Sequence, residues 1–444
     1  MRDFAVSDDP AVQAQLDRLA ALSLPRGRLS LNPVRALLAR LGDPHRALPP
    51  TFHVAGTNGK GSTCAFLRAI LEADGRAVHV YTSPHLVRFN ERIRLAGRLI
   101  EDAPLAALLE QVLDAGAGIG ASFFEVTTAA AFLAFAREPA DACVIEVGMG
   151  GRFDATNVLE RPVACGIASL GIDHEAFLLA PEEGVPSAPL ARIAFEKAGI
   201  AKPGVPLVVQ SCSQPARDAI AAVADMRGAP TSFQGQAWDI VAAAGGLVYR
   251  DGPRAGKGEV LDLPLPSLDG AHQNLNAGLA IGMLRKQRSL TVAPEAIASG
   301  LGRAEWPGRL QRLRPGPLTA LAPDRTVWLD GGHNPDAGAA LARYFARSAP
   351  LHLLIGMLAV KDPRAVAAPL AGRLASLTAV PIPGHEVHPP EDFASLAREW
   401  SVPFRSASDL KTALAGLPAP GDVLIAGSLY LAGETLRING QPPE

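Results

Sequence analysis

Residues 56–63 read Gly56-Thr57-Asn58-Gly59-Lys60-Gly61-Ser62-Thr63. A glycine-rich turn closed by a lysine can wrap backbone N–H groups and one ammonium around an anion. The stretch departs from the usual G-x-x-x-x-G-K-[ST] pattern: Val54 takes the first glycine position and Gly61 the Ser/Thr position. An apolar run, "TFHVAG" (51–56), precedes it, and a helical pattern follows. Strand, turn and helix together aim the turn's N–H groups and a helix N-terminus at one spot. The pattern predicts a phosphate site at Thr57, Asn58, Gly59, Lys60, Gly61 and Ser62, with Lys60 reaching the outer phosphates. The plain alternative is a glycine-rich turn between strand and helix.

Four further residues carry chemistry in their surroundings. Ser83 in "YTSPHL" ends a predicted strand at the carboxyl edge of a sheet, where open α/β folds bind ligands. Its hydroxyl suits Mg²⁺, a hard, oxygen-preferring cation; otherwise it is the turn residue before Pro84. Glu146 interrupts the apolar run "VIEVG". A buried carboxylate costs on the order of several kcal/mol unless it is paired or metal-bound, so either a cation meets it or the strand end exposes it. His174 in "GIDHE" reads as a core or acid–base histidine, because imidazole is an unusual Mg²⁺ ligand. Lys197 in "FEKAGI" falls in a predicted helix and, taken alone, reads as an exposed lysine.

The elements that must position these residues alternate between apolar β-rich runs and Ala/Leu-rich helical patterns. Strands are predicted at 51–56, 77–83, 142–148, 163–171 and 205–211, and helices at 63–74 and 105–116. The runs at 142–148 and 163–171 are continuously apolar, the mark of strands covered on both faces. Between about 233 and 266 the texture shifts to a hairpin-bearing insertion or an antiparallel edge, and a helix follows at 272–286. A Pro, Gly and Arg-rich stretch, 304–317, reads as a hinge. Beyond it a second alternation begins: strands at 326–332, 351–357, 377–382 and 422–428, and helices at 334–348, 364–374 and 392–400. Alternation of this kind argues for mostly parallel α/β sheets.

Composition narrows the class. The 444 residues suffice for two or three domains with sizeable cores. A net charge of −2 favours no nucleic-acid partner and permits a small anionic substrate held by local cations. Cys64, Cys143, Cys165 and Cys212 form no C-x-x-C pair, which argues for buried thiols in a reducing compartment rather than a disulfide or zinc framework. The N-terminus lacks the apolar segment of a signal peptide. No apolar run reaches the ~18 residues of a membrane helix; the longest, 129–136, is stopped by Arg137-Glu138-Pro139. A cytoplasmic monomer without a membrane partner is expected.

Taken with their neighbours, these motifs resemble the Mur-ligase-like family of ATP-dependent amide ligases, and within it the folylpolyglutamate synthase/dihydrofolate synthase branch. The strings are "VAGTNGKGST" (54–63), "YTSPHLVRFNERI" (81–93), "FFEVTTAAAF" (123–132), "VIEVGMGGRFDATN" (144–157), "GIDHE" (171–175), "FEKAGI" (195–200), "PGRLQ" (307–311), "DGGHNPDAG" (330–338), "GMLAVKD" (356–362) and "GSLYLAGE" (427–434). They run in family order.

The resemblance implies an α/β architecture. A P-loop-containing, mostly parallel sheet domain of the Mur ligase central type spans 1–303, followed by the 304–317 hinge and a smaller Rossmann-like domain over 318–444. It implies ATP and two Mg²⁺ ions. Ser83, Glu146 and His174 are ligands of one ion; Lys197, carbamylated, holds the second, which requires a site that lowers the lysine's pKa. Lys60, His174 and Lys197 are the catalytic residues. Asn276 in "NLNAG" contacts adenine, Arg309 phosphate, and Asp330 a ribose hydroxyl, with His333 beside it. Asp330 can equally be a helix N-cap. The 7,8-dihydropteroate contacts fall on Ser30 in "RLSLN" (28–32), on Phe123, Phe124 and Glu125, and on Phe153, Asp154 and Ala155; the phenylalanines can equally be core.

Two departures from the family pattern bear on the site. The spacer between His174 and Lys197, around 176–190, is longer and richer in Pro, and the signature at 23–32 is looser. The implied chemistry is acyl activation: a substrate carboxylate takes the γ-phosphoryl group of ATP, and L-glutamate's amine attacks the acyl phosphate. Such chemistry uses no protein nucleophile, and the chain has neither a G-x-S-x-G elbow nor a papain-type cysteine motif. The substrates implied are 7,8-dihydropteroate, folates and L-glutamate. Two rivals are a cell-wall-precursor ligase of the same family and a P-loop switch NTPase; for the latter, no guanine-reading N-K-x-D is present.

Overall fold

Every residue of β1 (Thr51–Ala55) is buried, as its apolar run predicts. In the computed structural model, which describes residues 6–22, 30–243, 245–252, 258–347, 350–418 and 420–444, this strand lies inside an eight-stranded sheet. The others are β2 (Val78–Tyr81), β3 (Ile93–Leu95), β4 (Arg98–Leu99), β5 (Ala142–Glu146), β6 (Ala164–Ile167), β7 (Leu207–Val209) and β8 (Thr231–Phe233). Their order is β4-β3-β2-β5-β1-β6-β7-β8. β1 pairs in parallel with β5 and β6, which sets Val54 beside both Glu146 and Gly166. Only β2-β3-β4 pair antiparallel. The chain passes from β1 to β2, returns to insert β5, then crosses to β6 on the other side. That reversal opens a crevice outside the carboxyl ends of the strands.

β5 and β6 are buried throughout, the state that their predominantly apolar runs predict, and this holds even for Glu146 at the end of β5. One core joins Leu109, Phe132 and Ile145; a second joins Ala55, Ile167, Ala198 and Ile220. The Phe123–Arg137 helix escaped the sequence reading because Val126 through Phe135 are all buried, leaving no polar face to reveal a helical period. The helices Pro10–Ala20, Asn32–Arg40, Gln214–Arg227, Pro294–Arg303 and Leu429–Ile438 were also not anticipated. Trp238–Ala243, Gly246–Asp251 and Val260–Pro264 form the antiparallel insertion expected near 233–266. Of the signature at 23–32, residues 23–29 lie outside the described residues.

The chain divides into two units: residues up to Ser267 together with Gln273–Glu305, and Leu268–His272 together with Trp306–Pro443. The second unit has its own six-stranded sheet, ordered Gln311–Arg312, Val327–Asp330, Asp422–Ala426, Leu351–Ile355, Leu374–Ala379, Phe404–Ser406. Its pairings are parallel except for the first strand. The helix expected at 364–374 is one α turn, Arg364–Ala367, followed by a 3₁₀ stretch, Ala368–Arg373. Pro369, lacking an N–H, cannot continue the α ladder. The strand expected at 377–382 begins earlier, at Leu374. Among the described residues, no helix is long and apolar enough to cross a membrane.

Candidate functional site

The turn after β1 is held by its glycines and by the β6 loop. A Cβ on Gly56 would lie 2.8 Å from Ala168 Cβ. Gly59, at φ 84°, caps the Lys60–Ala73 helix, and a Cβ there would lie 2.3 Å from Asn276 Oδ1. Thr57 N donates to Ser169 O at 2.8 Å, and Thr57 Oγ1 donates to Gly171 O at 2.9 Å. Lys60 Nζ donates to Thr57 O at 3.3 Å, so the ammonium folds back over the loop. Ser62 is buried, and Thr63 Oγ1 donates to Gly59 O at 2.9 Å. Asn276 is fixed against this turn by two other amides. It accepts from Gln210 Nε2 at 3.0 Å and donates to Gln273 Oε1 at 2.9 Å.

The strand order brings the remaining residues to the same edge. Ser83 follows β2, Glu146 ends β5, the Gly56–Lys60 turn follows β1 and His174 follows β6; these four strands are adjacent. Ser83 N donates to Glu146 Oε2 at 3.2 Å. Glu146 is 4% exposed, so the strand end does not expose it. His174 is exposed at φ 54°, which removes the core reading; its backbone N donates to Asp173 Oδ1 at 2.8 Å. Among the described residues, no group of three or more His, Cys, Asp and Glu is arranged to hold a metal.

Lys197 corrects the bare sequence reading most sharply. It is 4% exposed, and its Nζ donates to Gly56 O at 2.9 Å, beneath the glycine turn. Burial first, and then the like charge of Lys60, lowers its pKa to about 7, against the opposing pull of Asp173, Asp154 and Glu196. Much of this amine is therefore neutral at physiological pH.

The expected acceptor contacts separate into several surroundings. Asp154 is buried, and its carboxylate accepts from Met149 N at 2.8 Å and Thr156 N at 3.0 Å. Burial raises its pKa while these bonds oppose the shift. Ala155 is buried at the start of the Ala155–Val158 turn. Glu125 closes a capping box, accepting from Ser122 N at 2.7 Å. Phe124 faces Gly148, where a Cβ would lie 2.3 Å from the ring. Phe123 stands edge-on to Phe89, with the Arg92 guanidinium 5.6 Å from its ring. Phe153 carries the Arg152 guanidinium 4.4 Å from its centroid and shares a pocket wall with the exposed Ser30.

Sequence reasoning missed two supports of this edge. His53, buried in β1, bonds Thr156 Oγ1 at 2.8 Å, and Thr156 bonds Asp154; the signal was a histidine inside "TFHVAG". The long spacer supplies the other. Glu182 lies 2.5 Å from Arg152 Nη2 and 2.9 Å from Arg192 Nη2, and both arginines pair with Glu196, the neighbour of Lys197.

The second unit assembles a polar cluster of its own. Asp330 accepts from Leu310 N at 2.7 Å and Gly332 N at 2.6 Å. The cap of the Pro335–Tyr344 helix is Asn334, not Asp330. A Cβ on Gly331 would lie 2.8 Å from Arg309 Nη1, and His333 Nδ1 bonds Gly331 O at 3.1 Å. His272, unnoticed in the sequence, joins them: burial lowers its pKa, Asp330 raises it, and Arg343 and Arg309 lower it further.

No family model matches the chain. A curated dihydrofolate synthase/folylpolyglutamate synthase from Mycobacterium tuberculosis is 33% identical, over 98% of this chain and 96% of that protein. The structure of E. coli FolC in complex with DHPP and ADP superposes with a TM-score of 0.83 at 30% identity, over 96% of this chain and 97% of that one. A bifunctional folylpolyglutamate synthase/dihydrofolate synthase with Mn, AMPPNP and L-glutamate bound gives 0.81 at 31% identity, over 98% and 99%. The chain spans about half the length of two archaeal relatives, from Halobacterium salinarum and Haloferax volcanii, named as probable bifunctional folylpolyglutamate synthase/dihydropteroate synthases (48% and 47% of their lengths). With this similarity extending over nearly its whole length and its Mur ligase-type fold, the chain belongs to the dihydrofolate synthase/folylpolyglutamate synthase family.

Proposed function

We propose that the chain is an ATP-dependent ligase that joins L-glutamate to 7,8-dihydropteroate and to folylglutamates. One observation carries this reading: Lys60, Ser83, Glu146 and the buried Lys197 amine share the carboxyl edge of adjacent parallel strands. The ligands bound to the relatives' structures, DHPP with ADP in one and AMPPNP, Mn and L-glutamate in another, support the choice of substrates.

The residues suit a divalent cation. A buried carboxylate and a hydroxyl are hard oxygen donors, as Mg²⁺ prefers. Ser83, Glu146 and His174 would hold one ion. Lys197 would hold a second after its neutral amine adds CO₂ and releases a proton, leaving a carbamate. Bound Mg²⁺ supplies charge neutralisation and orientation at the phosphates.

The chain's own groups do the rest. The turn from Thr57 to Ser62 and the start of the Lys60–Ala73 helix cradle the phosphates. Lys60 stabilises the charge that develops as an acceptor carboxylate oxygen attacks the γ-phosphorus and ADP departs. The amine of glutamate then attacks the acyl carbon, phosphate leaves, and an amide remains. His174 counts among the catalytic residues through the ion it would hold. Asn276, Arg309, Asp330 and His333 contact the nucleotide; Ser30, Phe123, Phe124, Glu125, Phe153, Asp154 and Ala155 contact the acceptor. In this reading, 304–317 links the two domains and the protein is a cytoplasmic monomer without nucleic-acid or membrane partners.

Phosphate release, followed with dihydropteroate and glutamate added together and singly, tests the proposal. Release that requires both substrates and falls at least roughly 100-fold in Lys60→Ala supports it. Release indifferent to both supports a switch NTPase instead.

A further inference from the structure

Where the chain leaves the Pro189–Ala198 helix, the first unit holds a pocket of about 380 Å³. That lies within the roughly 300–1,000 Å³ of small-molecule sites and exceeds what a lone ion needs. Ser30 and Phe153 line it, together with four cations, Arg35, Arg152, Lys202 and Arg227; no Asp or Glu does. Arg152 is neutralised by Glu182 and Glu196. The other three form no ion pair among the described residues. Lys202 Nζ donates to Asn157 O at 3.0 Å, and Arg227 Nη1 donates to Gly199 O at 2.8 Å. Carbonyls orient these side chains without cancelling their charge.

The cations act on one another. Burial lowers the pKa of Lys202 to about 8; Cys165 opposes that shift, and Arg227 and Arg35 add to it. Glu160 pulls the other way, but it is paired with Arg46. Burial, and then Arg152, lowers the pKa of Arg227. Like charges gathered on one concave wall focus a field that draws an anion of matching multiplicity. The ligase reaction proposed above supplies such an anion. Each glutamate added to an acceptor leaves one free carboxylate, whichever of its two carboxyls forms the next amide. The acceptor's charge therefore grows with its length, whereas a pteroate carries a single carboxylate.

We propose that Arg35, Lys202 and Arg227 bind the free carboxylates of a glutamyl chain on the acceptor and so favour folylglutamates over pteroate. The assignment rests on the ligase reading above. Continuity with the acceptor residues Ser30 and Phe153 on the same wall favours a substrate tail over free phosphate.

The test compares KM and kcat of the wild type with those of Arg35→Gln, Lys202→Gln and Arg227→Gln. Acceptors are dihydropteroate and tetrahydrofolates bearing one, two or three glutamates. Losing one charge-assisted contact raises KM for the triglutamate roughly tenfold, less for the exposed Arg35. The increase grows with each glutamate and is smallest for dihydropteroate, while Lys202→Arg retains the wild-type preference. Free tri-glutamate peptide inhibits the wild type competitively and the three Gln variants roughly tenfold more weakly. Equal KM increases for every acceptor, no increase at all, or inhibition by inorganic phosphate in place of the peptide overturns the tail assignment and leaves the ligase reading intact. Wild-type protein with no glutamate-dependent phosphate release from any acceptor overturns the ligase reading and the tail assignment with it.

Discussion

Lys197 carries a cost to the fold that its proposed role in the reaction would explain. In the unfolded chain its amine titrates near the ordinary lysine value, roughly 10.4; in the fold it titrates at about 7. Between those values the unfolded chain binds more protons, so stability rises with pH across that window and the full penalty is present below it. Lys197→Met removes the buried amine. In CO₂-free buffer the urea midpoint of the wild type should rise from pH 7 to pH 9 relative to the variant, while the variant loses glutamate-dependent turnover. Parallel midpoints in the two proteins would show that the amine is not desolvated as described.

The turns and spacers around that lysine hold it by contact rather than by propensity. Gly59 combines a left-handed backbone with the Asn276 amide where a Cβ would stand. Gly59→Ala should cost roughly 1–2 kcal/mol in backbone strain, and it displaces Asn276 as well. Calorimetric titration with AMPPNP and Mg²⁺ should show roughly tenfold weaker binding; unchanged affinity would separate the Asn276 contact from nucleotide binding. The long spacer is anchored through Glu182, whose carboxylate lies between two largely buried arginines, Arg152 and Arg192. Glu182→Gln leaves that charge less compensated and should lower unfolding stability by roughly 1–3 kcal/mol. Urea denaturation reads this directly, and a variant as stable as the wild type would make the spacer a passive insertion.

Two units in one chain mean that unfolding is not a single two-state event. A ligand stabilises only what it binds. AMPPNP with Mg²⁺ at a hundredfold excess over its Kd should stabilise the nucleotide-binding part by about 2.7 kcal/mol. Scanning calorimetry should show that transition move upward. EDTA should reverse the shift and abolish phosphate release, and added Mg²⁺ should restore both. A shift that persists in EDTA would assign nucleotide binding to Lys60 and the turn without a cation.

Much of the candidate site was legible in the sequence because it lies in short, contiguous strings. A glycine turn with its lysine, a carboxylate inside an apolar strand and a serine at a strand end each carry their meaning locally, since turn geometry and strand burial depend on near neighbours. β5 and β6 were equally readable, because predominantly apolar runs have one common explanation. The Phe123–Arg137 helix was not, because burial on every side erased the period that marks a helix. What needed the tertiary structure was whatever depends on residues distant in the chain. The strand order β2-β5-β1-β6 set Ser83, Glu146, Lys60 and His174 on one edge. The burial of Lys197 against Gly56, and with it the lowered pKa, came from packing across 141 positions of sequence. The cation wall joined Arg35, Lys202 and Arg227 from three separate segments. Sequence fixes residue type and local conformation, whereas charge state and pocket shape are set by desolvation and by neighbours that only folding supplies.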